Sequence, residues 1–274
     1  MARDRRTSLA PGAGPRLDSL RLGLPSTPLT DTPSRRAALQ TELLHGQRFE
    51  VHARKGGFLY GRAKALRGRA TDYVGWVPAK GMVGGGASPT HYVSALSAPV
   101  FSRAELKSRI VMHLSMGARV AVIGERDGYH QIGAGAWVSD RHVRPLGERA
   151  TDPVAVARQL LGQAYVWGGT GARGLDCSGL VQRVLDACGL ACPRDADQQE
   201  RALGESVPIA EIAARSGQPG DLLFWPGHVG MLATRSRLIH ANAWHMGVVE
   251  EPLLGALRRM EESGVTLRSA RRLD

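Results

Sequence analysis

Cys177 is the residue of this 274-residue sequence best placed to act as a nucleophile. It follows Asp176 in a stretch with five glycines between positions 168 and 179, and apolar residues recur after it up to Gly189. This pattern predicts a helix that begins near Cys177, because Asp176 and Ser178 are residue types that start helices. A cysteine there lies at the positive end of the helix dipole, so we expect a lowered thiol pKa and a reactive thiolate.

Two histidines downstream of the cysteine are candidates for a general base. His228 opens an apolar run, and His240 lies in a second run, Leu-Ile-His-Ala, twelve positions later. Both runs predict strands, and an even offset across a hairpin can place the two side chains on one face of the sheet. A thiol nucleophile needs a base and a third group that orients the base. Cys177, His228 and His240 together therefore predict catalysis by a cysteine.

The composition indicates a globular protein and argues against a disulfide scaffold. Hydrophobic residues make up 43% of the sequence, enough for a substantial core, and the length predicts about two domains. Cys177, Cys188 and Cys192 are clustered and cannot all pair with one another, which favours a reducing compartment. We interpret Cys188 as a buried structural cysteine. We expect no metal site and no cofactor, since no paired Cys or His spacing supplies further ligands.

The net charge of +11, from 36 basic and 25 acidic residues, raises the question of an anionic partner. The basic residues are spread along the chain without interleaved aromatic residues, so we expect no nucleic-acid partner. No apolar run of signal-peptide length follows the first residues, and none is long enough to span a membrane. We therefore expect a cytoplasmic protein without a membrane partner.

Strand and turn signals divide the chain into five parts. These parts are an extended arm, a small β-barrel, a flexible linker, a second β-barrel and a third region, at residues 1–36, 37–83, 84–90, 91–147 and 148–274. The segment Gly75-Trp76-Val77 recurs as Ala136-Trp137-Val138, which indicates that the second barrel is a diverged copy of the first. Alternating leucines at positions 20, 22 and 24 of the arm can dock on a domain.

The third region predicts helices followed by antiparallel strands, which is the α+β class. Its first helix starts at Thr151-Asp152-Pro153, where cap residues precede a proline. The helix with Cys177 comes next, followed by a polar loop over residues 193–199 and a short helix around residues 209–215. Strands then include those that carry His228 and His240.

The motifs of the third region resemble those of the NlpC-type cysteine peptidases of bacterial peptidoglycan. The matching segments are Tyr165-Val166-Trp167-Gly168-Gly169, Asp176-Cys177-Ser178-Gly179, Gly220-Asp221-Leu222, His228-Val229-Gly230 and Ile239-His240-Ala241. The resemblance implies a papain-like α+β fold with Cys177 as nucleophile, His228 as general base and His240 as the residue that orients it. It also implies an oxyanion hole made by the Tyr165 hydroxyl and the Cys177 backbone N–H.

With two SH3-like barrels ahead of the peptidase, the whole chain resembles the γ-D-glutamyl-L-diamino acid endopeptidases that recycle cell-wall peptides. The resemblance implies a murein peptide substrate with a free N-terminal L-alanine, cut between γ-D-glutamate and diaminopimelate. A free ammonium group calls for a carboxylate, and five residues are candidates for substrate contacts. They are Asp176, Ser178 and Asp195 of the peptidase domain and Tyr73 and Glu42 of the first barrel.

Several alternatives stay open. Asp176 can be a plain helix cap, and Asp195 can be a loop carboxylate paired with Arg194. The same fold can also carry a different thiol chemistry, such as that of an amidase or an acyltransferase. A third alternative is a protein without enzymatic activity whose barrels and basic arm bind wall polymer or nucleic acid.

Overall fold

The computed structural model describes residues 4–66, 71–214 and 216–273. These residues form two compact units. The first unit comprises residues 4–66 and 71–149, and the second comprises residues 150–214 and 216–273. Among the described residues, the second unit begins at Ala150.

The first barrel of the first unit is an antiparallel sheet of seven strands. The strands are β1 (Asp18–Leu22), β2 (Ser26–Thr30), β3 (Leu39–Leu44), β4 (Arg48–Lys55), β5 (Phe58–Ala63), β6 (Tyr73–Pro78) and β7 (Met82–Val83). They are ordered β3-β2-β6-β5-β4-β1-β7. Their inward side chains form one apolar core, in which Leu29, Phe49 and Val51 are fully buried. The alternation of buried and exposed positions along β4 and β5 is typical of strands that cover a core on one face.

Part of the predicted arm belongs to this barrel. β1 and β2 lie within residues 1–36, and β1 pairs with β4 while β2 pairs with β3 and β6. Leu20 and Leu22 are buried in the barrel core, since alternate residues of a strand point to the same face. The prediction of an arm outside the barrel is thus wrong for residues 18–30, because these residues supply strands that the sheet needs to cover its core.

The second barrel repeats part of this arrangement. Its strands are β8 (His91–Val93), β9 (Ser97–Phe101), β10 (Ile110–Ser115), β11 (Arg119–Val120), β12 (Gly124–Arg126), β13 (Tyr129–Gly133), β14 (Ala136–Ser139) and β15 (Val143–Pro145), with a 3-10 helix at Asp140–His142. The sheets have the orders β10-β9-β14-β13-β12 and β11-β8-β15. The repeated segments around Trp76 and Trp137 lie on β6 and β14, each between two antiparallel neighbours. Each segment therefore lies on an inner strand of its sheet.

The second unit is of the α+β class. Its elements are α1 (Pro153–Gln159), β16 (Thr170–Gly171), β17 (Gly174–Leu175), α2 (Cys177–Ala187), α3 (Ala196–Ala202), β18 (Glu205–Val207), α4 (Ile209–Ala213), β19 (Leu222–Trp225), β20 (His228–Thr234), β21 (Arg237–Asn242), β22 (Gly247–Pro252), α5 (Leu253–Glu262) and β23 (Ser269–Arg272). Six strands form one sheet in the order β18-β23-β19-β20-β21-β22. Helix α2 packs against β20 and β21, so the element with Cys177 lies against the strands with His228 and His240.

Two helices of this unit differ from the sequence prediction. Helix α3 occupies part of the predicted polar loop, because Asp195 and Gln198 form a capping box at its start. Helix α5 was not predicted, although Leu253, Ala256 and Met260 recur at helical spacing and pack on the core of the sheet. Cys188, predicted to be buried, ends α2 in a half-buried position, while Cys192 is buried.

Candidate active site

The side chain of Asp176 fixes the start of the helix that carries Cys177. Asp176 is the N-cap of α2, and its Oδ1 accepts a hydrogen bond of 2.7 Å from the Gly179 N–H. Its Oδ2 accepts a second bond, of 2.9 Å, from the Gly168 N–H. A Cβ atom at position 179 would lie 2.2 Å from the Gly169 carbonyl oxygen, so only glycine allows the loop to approach the helix this closely.

Arg194 holds the same carboxylate from the other side. Its guanidinium donates to Asp176 Oδ1 at 3.0 Å and to Oδ2 at 2.6 Å, and it also donates to Ser178 Oγ at 2.9 Å. All three residues are buried. Arg194 thus forms an ion pair with Asp176, a partner that the sequence did not suggest. Asp176 and Ser178 are components of a buried network that holds the first turn of α2.

The thiol of Cys177 is buried and uncharged. Its Sγ lies 3.9 Å from the carbonyl oxygen of Gly227, the residue before His228. Burial and the neighbouring Asp176 carboxylate raise the pKa of the Cys177 thiol to about 11. The expectation of a lowered pKa is therefore wrong, because desolvation of a thiolate costs more than the helix start and backbone donors return.

The two histidines lie on one face of the hairpin formed by β20 and β21. His228 Nε2 and His240 Nδ1 are 2.9 Å apart, so the pair predicted from the even offset makes direct contact. The residue opposite His240 is Gly230, where a Cβ atom would lie 3.2 Å from the Cβ of His240. The small residue leaves room for the two rings.

Glu251 and Arg259 extend this contact into a chain of hydrogen bonds. His240 Nε2 is 2.7 Å from Glu251 Oε1, and the Arg259 guanidinium donates to both carboxylate oxygens at 2.6 Å. Burial alone would raise the pKa of Glu251, but the hydrogen bonds from Arg259 and His240 outweigh it and lower the pKa to about 2. Glu251 is thus ionised at neutral pH and can only accept hydrogen bonds.

The ionised Glu251 determines which ring nitrogens carry protons. His240 must donate from Nε2 to Glu251, so its Nδ1 accepts, and the donor to it is the Nε2–H of His228. Burial, followed by the charge of His240, lowers the pKa of His228 to about 3, so its imidazole is neutral at physiological pH. A neutral ring with its proton on Nε2 keeps a lone pair on Nδ1. His228 can therefore take up a proton at Nδ1.

Tyr165, the predicted oxyanion donor, lies close enough to Cys177 and Asp176 for their charges to act on its hydroxyl. Its backbone N–H donates to the Met246 carbonyl at 3.0 Å, and it forms an isolated bridge with Leu175, close to the helix start. Burial and the charges of Cys177 and Asp176 raise the pKa of the Tyr165 hydroxyl to about 12. The hydroxyl stays protonated, as a donor to an oxyanion must be.

The other candidate substrate residues are distributed over both units. Asp195 is half-buried at the start of α3, where its backbone N–H donates to Gln198 Oε1 at 3.4 Å. Tyr73 and Glu42 lie in the first barrel, and both are buried. Tyr73 belongs to the barrel core, and Glu42 accepts a hydrogen bond of 3.3 Å from Ser26 Oγ. Their roles in substrate binding stay predictions.

Sequence reasoning missed Glu251 and Arg259. His240 pairs with Val249 across β21 and β22, so Glu251, two positions further on, points to the same face as Val249. That register depends on the length of the hairpin loop, and the position of Arg259 depends on where α5 packs. An acidic residue on the strand after His240 was the available signal.

One group in the described part of the chain has the donor atoms of a metal site. Its members are His240, His245 and Glu251, whose ligand atoms lie within 4.8 Å of one another. The expectation that no metal binds rested on the lack of paired Cys or His spacing and did not consider this group.

Comparison with known proteins assigns the family of the second unit. The NlpC/P60 family model matches residues 162–263, and the model of the bacterial dipeptidyl-peptidase Sh3 domain matches residues 29–82. The chain contains an NlpC/P60 domain. This NlpC/P60 domain includes Cys177, both histidines, Glu251 and Arg259. The family named from the sequence motifs is thereby confirmed.

Two relatives and two solved structures indicate how far the similarity extends. The Gamma-D-glutamyl-L-lysine dipeptidyl-peptidase of Bacillus subtilis is 26% identical over 221 residues, 74% of this chain and 72% of its own length. Dipeptidyl-peptidase 6 of Lysinibacillus sphaericus is 37% identical over 89 residues, so the match spans 32% of this chain and 31% of that relative.

The structure of an NlpC/P60 family protein from Bacillus cereus has a TM-score of 0.77 at 21% identity, covering 93% of this chain and 99% of that one. An NlpC/P60 endopeptidase from Photobacterium damselae has a TM-score of 0.58 at 13% identity, covering 92% and 70%. These similarities confirm the fold class, which is a papain-like α+β domain preceded by SH3-like β structure. The NlpC/P60 domain also confirms the predicted enzyme class of cysteine peptidase. Among the described helices, none has both the length and the apolar character that crossing a membrane requires.

Proposed function

We propose that this NlpC/P60 protein hydrolyses the γ-D-glutamyl-L-diamino acid bond of peptides derived from peptidoglycan, with Cys177 as nucleophile and His228 as general base. The observation that carries the chemistry is the hydrogen-bonded chain from His228 through His240 to Glu251, beside a cysteine at a helix start. This series of hydrogen bonds leaves a lone pair on Nδ1 of His228, which is what a general base requires.

The first half of the reaction forms a thioester. As Cys177 Sγ attacks the γ-glutamyl carbonyl carbon, the thiol proton moves to Nδ1 of His228. The oxygen of the tetrahedral intermediate accepts hydrogen bonds from the Tyr165 hydroxyl and the Cys177 backbone N–H, which has no partner within α2 because it lies at the helix start. His228 then gives the proton to the amine of the diamino acid as the C–N bond breaks.

The second half returns the enzyme to its starting state. A water molecule attacks the thioester and loses a proton to His228 Nδ1, the C–S bond breaks, and the proton then passes to the Cys177 thiolate. In both halves His228 becomes positively charged for a time. The Glu251 carboxylate, acting through His240, stabilises that charge, much as the aspartate of a catalytic triad does.

The pKa values favour a neutral thiol and a neutral imidazole before substrate binds. The pKa of Cys177 is raised to about 11, and the pKa of His228 is lowered to about 3. Proton transfer to His228 is therefore coupled to the attack of sulfur on the substrate and does not precede it.

The names of two relatives support the substrate class. The B. subtilis relative is a γ-D-glutamyl-L-lysine dipeptidyl-peptidase, and the L. sphaericus relative is also a dipeptidyl-peptidase. A dipeptidyl-peptidase releases two residues from a free amino terminus, so the names support a substrate with a free amino terminus that is cut after D-glutamate. The match of residues 29–82 to a dipeptidyl-peptidase Sh3 domain supports the same class.

We assign recognition of the substrate ammonium group to a carboxylate other than Asp176. Both oxygens of Asp176 accept from Arg194, which matches its charge, and both also accept from backbone N–H groups. Asp195 and Glu42 then remain as the candidate carboxylates. Exchanging Asp195 for Asn should raise KM for the free peptide more than for an N-acetylated one.

A product assay tests this function. We expect L-Ala-γ-D-Glu-meso-diaminopimelate to yield the dipeptide L-Ala-γ-D-Glu in mass spectrometry and Cys177→Ala to yield none. The same tripeptide with L-lysine tests which diamino acid is accepted. Cleavage by Cys177→Ala at the wild-type rate would refute the role of Cys177 as nucleophile. Cleavage of the N-acetylated tripeptide at the same rate as the free tripeptide would refute the requirement for a free amine.

The role that we propose in the cell is recycling of wall peptides in the cytoplasm. Cys177, Cys188 and Cys192 are free in the structure, which suits a reducing compartment. Cell fractionation with an antibody against the protein should recover it with a cytoplasmic marker. Recovery with the cell wall or the medium would contradict this location.

A further inference from the structure

We propose that His240, His245 and Glu251 form a binding site for a zinc ion, and that zinc bound there inhibits the peptidase. The binding part stands on geometry alone, and the inhibition rests on the proposed function. One ligand atom from each of the three residues lies within 4.8 Å of the other two. Two imidazoles and a carboxylate are a donor set that Zn²⁺ commonly takes in proteins.

The distances fit a tetrahedral ion after a small adjustment. Metal–ligand bonds of about 2.0–2.2 Å place neighbouring ligand atoms roughly 3.3 Å apart in a tetrahedron. His240 Nε2 is 2.7 Å from Glu251 Oε1, and His245 Nδ1 is 4.0 Å from the same oxygen. The first distance must lengthen and the second must shorten, each by less than about 1 Å on the same reckoning.

His245 is the ligand that can move. It lies in the loop between β21 and β22 and is exposed, so an ion can reach the group from solvent. Its Nδ1 is 3.1 Å from Asn242 Oδ1 in a hydrogen bond that the metal would replace. A modest rotation of the His245 side chain is all that the loop has to supply.

Arg259 opposes the ion and sets an upper limit on its affinity. Its guanidinium occupies both oxygens of Glu251 and would repel a cation beside them. The guanidinium also lies 5.5 Å from the ring centroid of Trp244, an exposed aromatic face that attracts cations. Zinc binding would require Arg259 to lose its hydrogen bond to Glu251 Oε1. Arg259 would keep its hydrogen bond to Glu251 Oε2 and its contact with the Trp244 ring.

Zinc on His240 would reverse the proton positions that the reaction needs. The ion takes the lone pair of Nε2, so the proton of a neutral His240 must lie on Nδ1, where it donates to Nε2 of His228. His228 then carries its own proton on Nδ1, the nitrogen that would otherwise accept the thiol proton. Both rings stay neutral and no proton is gained or lost. However, His228 no longer has a lone pair on Nδ1 that could accept the thiol proton.

Calorimetry with ZnCl₂ tests binding without any reference to activity. The full-length Cys177→Ala protein lacks the thiol, which is itself a zinc ligand, and we expect it to bind one ion. A Cys177→Ala/His245→Ala protein should bind that ion at least tenfold more weakly. The matched control is Cys177→Ala/His113→Ala, which removes an exposed histidine of the second barrel. Equal affinity with and without His245 would overturn the site.

Activity assays test inhibition. Wild-type cleavage of the tripeptide should fall as ZnCl₂ is added and return with EDTA. His245→Ala should keep the basal rate and need at least tenfold more zinc for the same inhibition. Equal zinc sensitivity of wild type and His245→Ala would overturn the inhibitory site and assign inhibition to the thiol. Absence of cleavage by the metal-free protein would refute the proposed function while leaving the calorimetric result intact.

Discussion

The NlpC/P60 site has a helix side, at the start of α2, and a sheet side, at the strands with His240 and Glu251. Each side contains an arginine that donates two hydrogen bonds to one carboxylate. Arg194 donates to both oxygens of Asp176, and Arg259 donates to both oxygens of Glu251, over distances of 2.6–3.0 Å. The remaining partners differ. Asp176 accepts from backbone N–H groups, whereas Glu251 accepts from the ring of His240. The helix-side pair therefore fixes the backbone that positions Cys177, and the sheet-side pair fixes the position of a proton.

The two pairs also differ in burial. The side chains of Asp176 and Arg194 are 10% and 4% exposed, and those of Glu251 and Arg259 are 12% and 20% exposed. A more deeply buried charge loses more when its partner is removed. Breaking the helix-side pair should affect stability most, and breaking the sheet-side pair should affect catalysis most.

The largest effect is expected for Asp176→Ala. This change leaves the Arg194 charge buried without its partner and removes the cap of α2, so the free energy of unfolding should fall by about 3–5 kcal/mol. Urea unfolding measures it. Asp197→Ala, which breaks an exposed ion pair with Arg201, is the matched control and should cost less than about 1 kcal/mol. A loss below about 1 kcal/mol for Asp176→Ala would contradict the structural role of this pair.

Burial and the Asp176 carboxylate raise the pKa of the Cys177 thiol. The pH dependence of its alkylation by iodoacetamide tests this pKa. The thiolate is the reactive form, and the pKa of Cys177 is raised to about 11. The rate at Cys177 should therefore rise about tenfold per pH unit, or about 100-fold between pH 7 and 9. Mass spectrometry of peptides separates Cys177 from Cys188 and Cys192. A rate at Cys177 that is independent of pH over this range would show a thiolate–imidazolium pair at rest.

On the sheet side, Glu251→Gln should lower kcat by roughly 10–100-fold, since general base catalysis as a whole contributes about 10²–10⁴-fold. KM should change little, because Glu251 acts on the imidazolium that forms during the reaction and not on bound substrate. Glu250→Gln is the matched control, as Glu250 pairs with Arg158 and Arg237 away from His240. An unchanged kcat for Glu251→Gln would refute the positioning role.

The smallest effect is expected in acid. The pKa of Glu251 is lowered from its ordinary value of 4.5 to about 2, so its contribution to stability is complete above pH 4.5 and disappears as the pH falls toward 2. Thermal unfolding between pH 5 and 3 should show that the wild type loses more stability than Glu251→Gln, by about 1 kcal/mol or less. Parallel curves for the two proteins would contradict an ionised, paired Glu251.

The comparison of the two pairs also explains which parts of the site could be predicted. Asp176, Cys177 and the start of α2 are neighbours in the chain, so cap chemistry and apolar spacing were enough to locate them. His228 and His240 followed from strand periodicity in one hairpin. Glu251 and Arg259 depend on the register of the next hairpin and on the packing of α5, which no local pattern specifies.

Burial accounts for the error about the thiol. A helix start is visible in the sequence, but the desolvation of Cys177 results from the packing of α2 against β20 and β21. The arm was assigned wrongly for a similar reason. The strands at residues 18–22 and 26–30 pair with partners that lie at least nine positions further along the chain, and composition gives no sign of such pairing.

The proton positions in the chain from His228 to Glu251 can be measured directly by ¹⁵N NMR of the histidine rings at pH 7. The chemical shifts of the two ring nitrogens distinguish a protonated nitrogen from one with a lone pair. The structure predicts that His228 and His240 are both neutral with the proton on Nε2. A proton on Nδ1 of His228 would contradict its role as the base toward Cys177, whether the ring is neutral or doubly protonated.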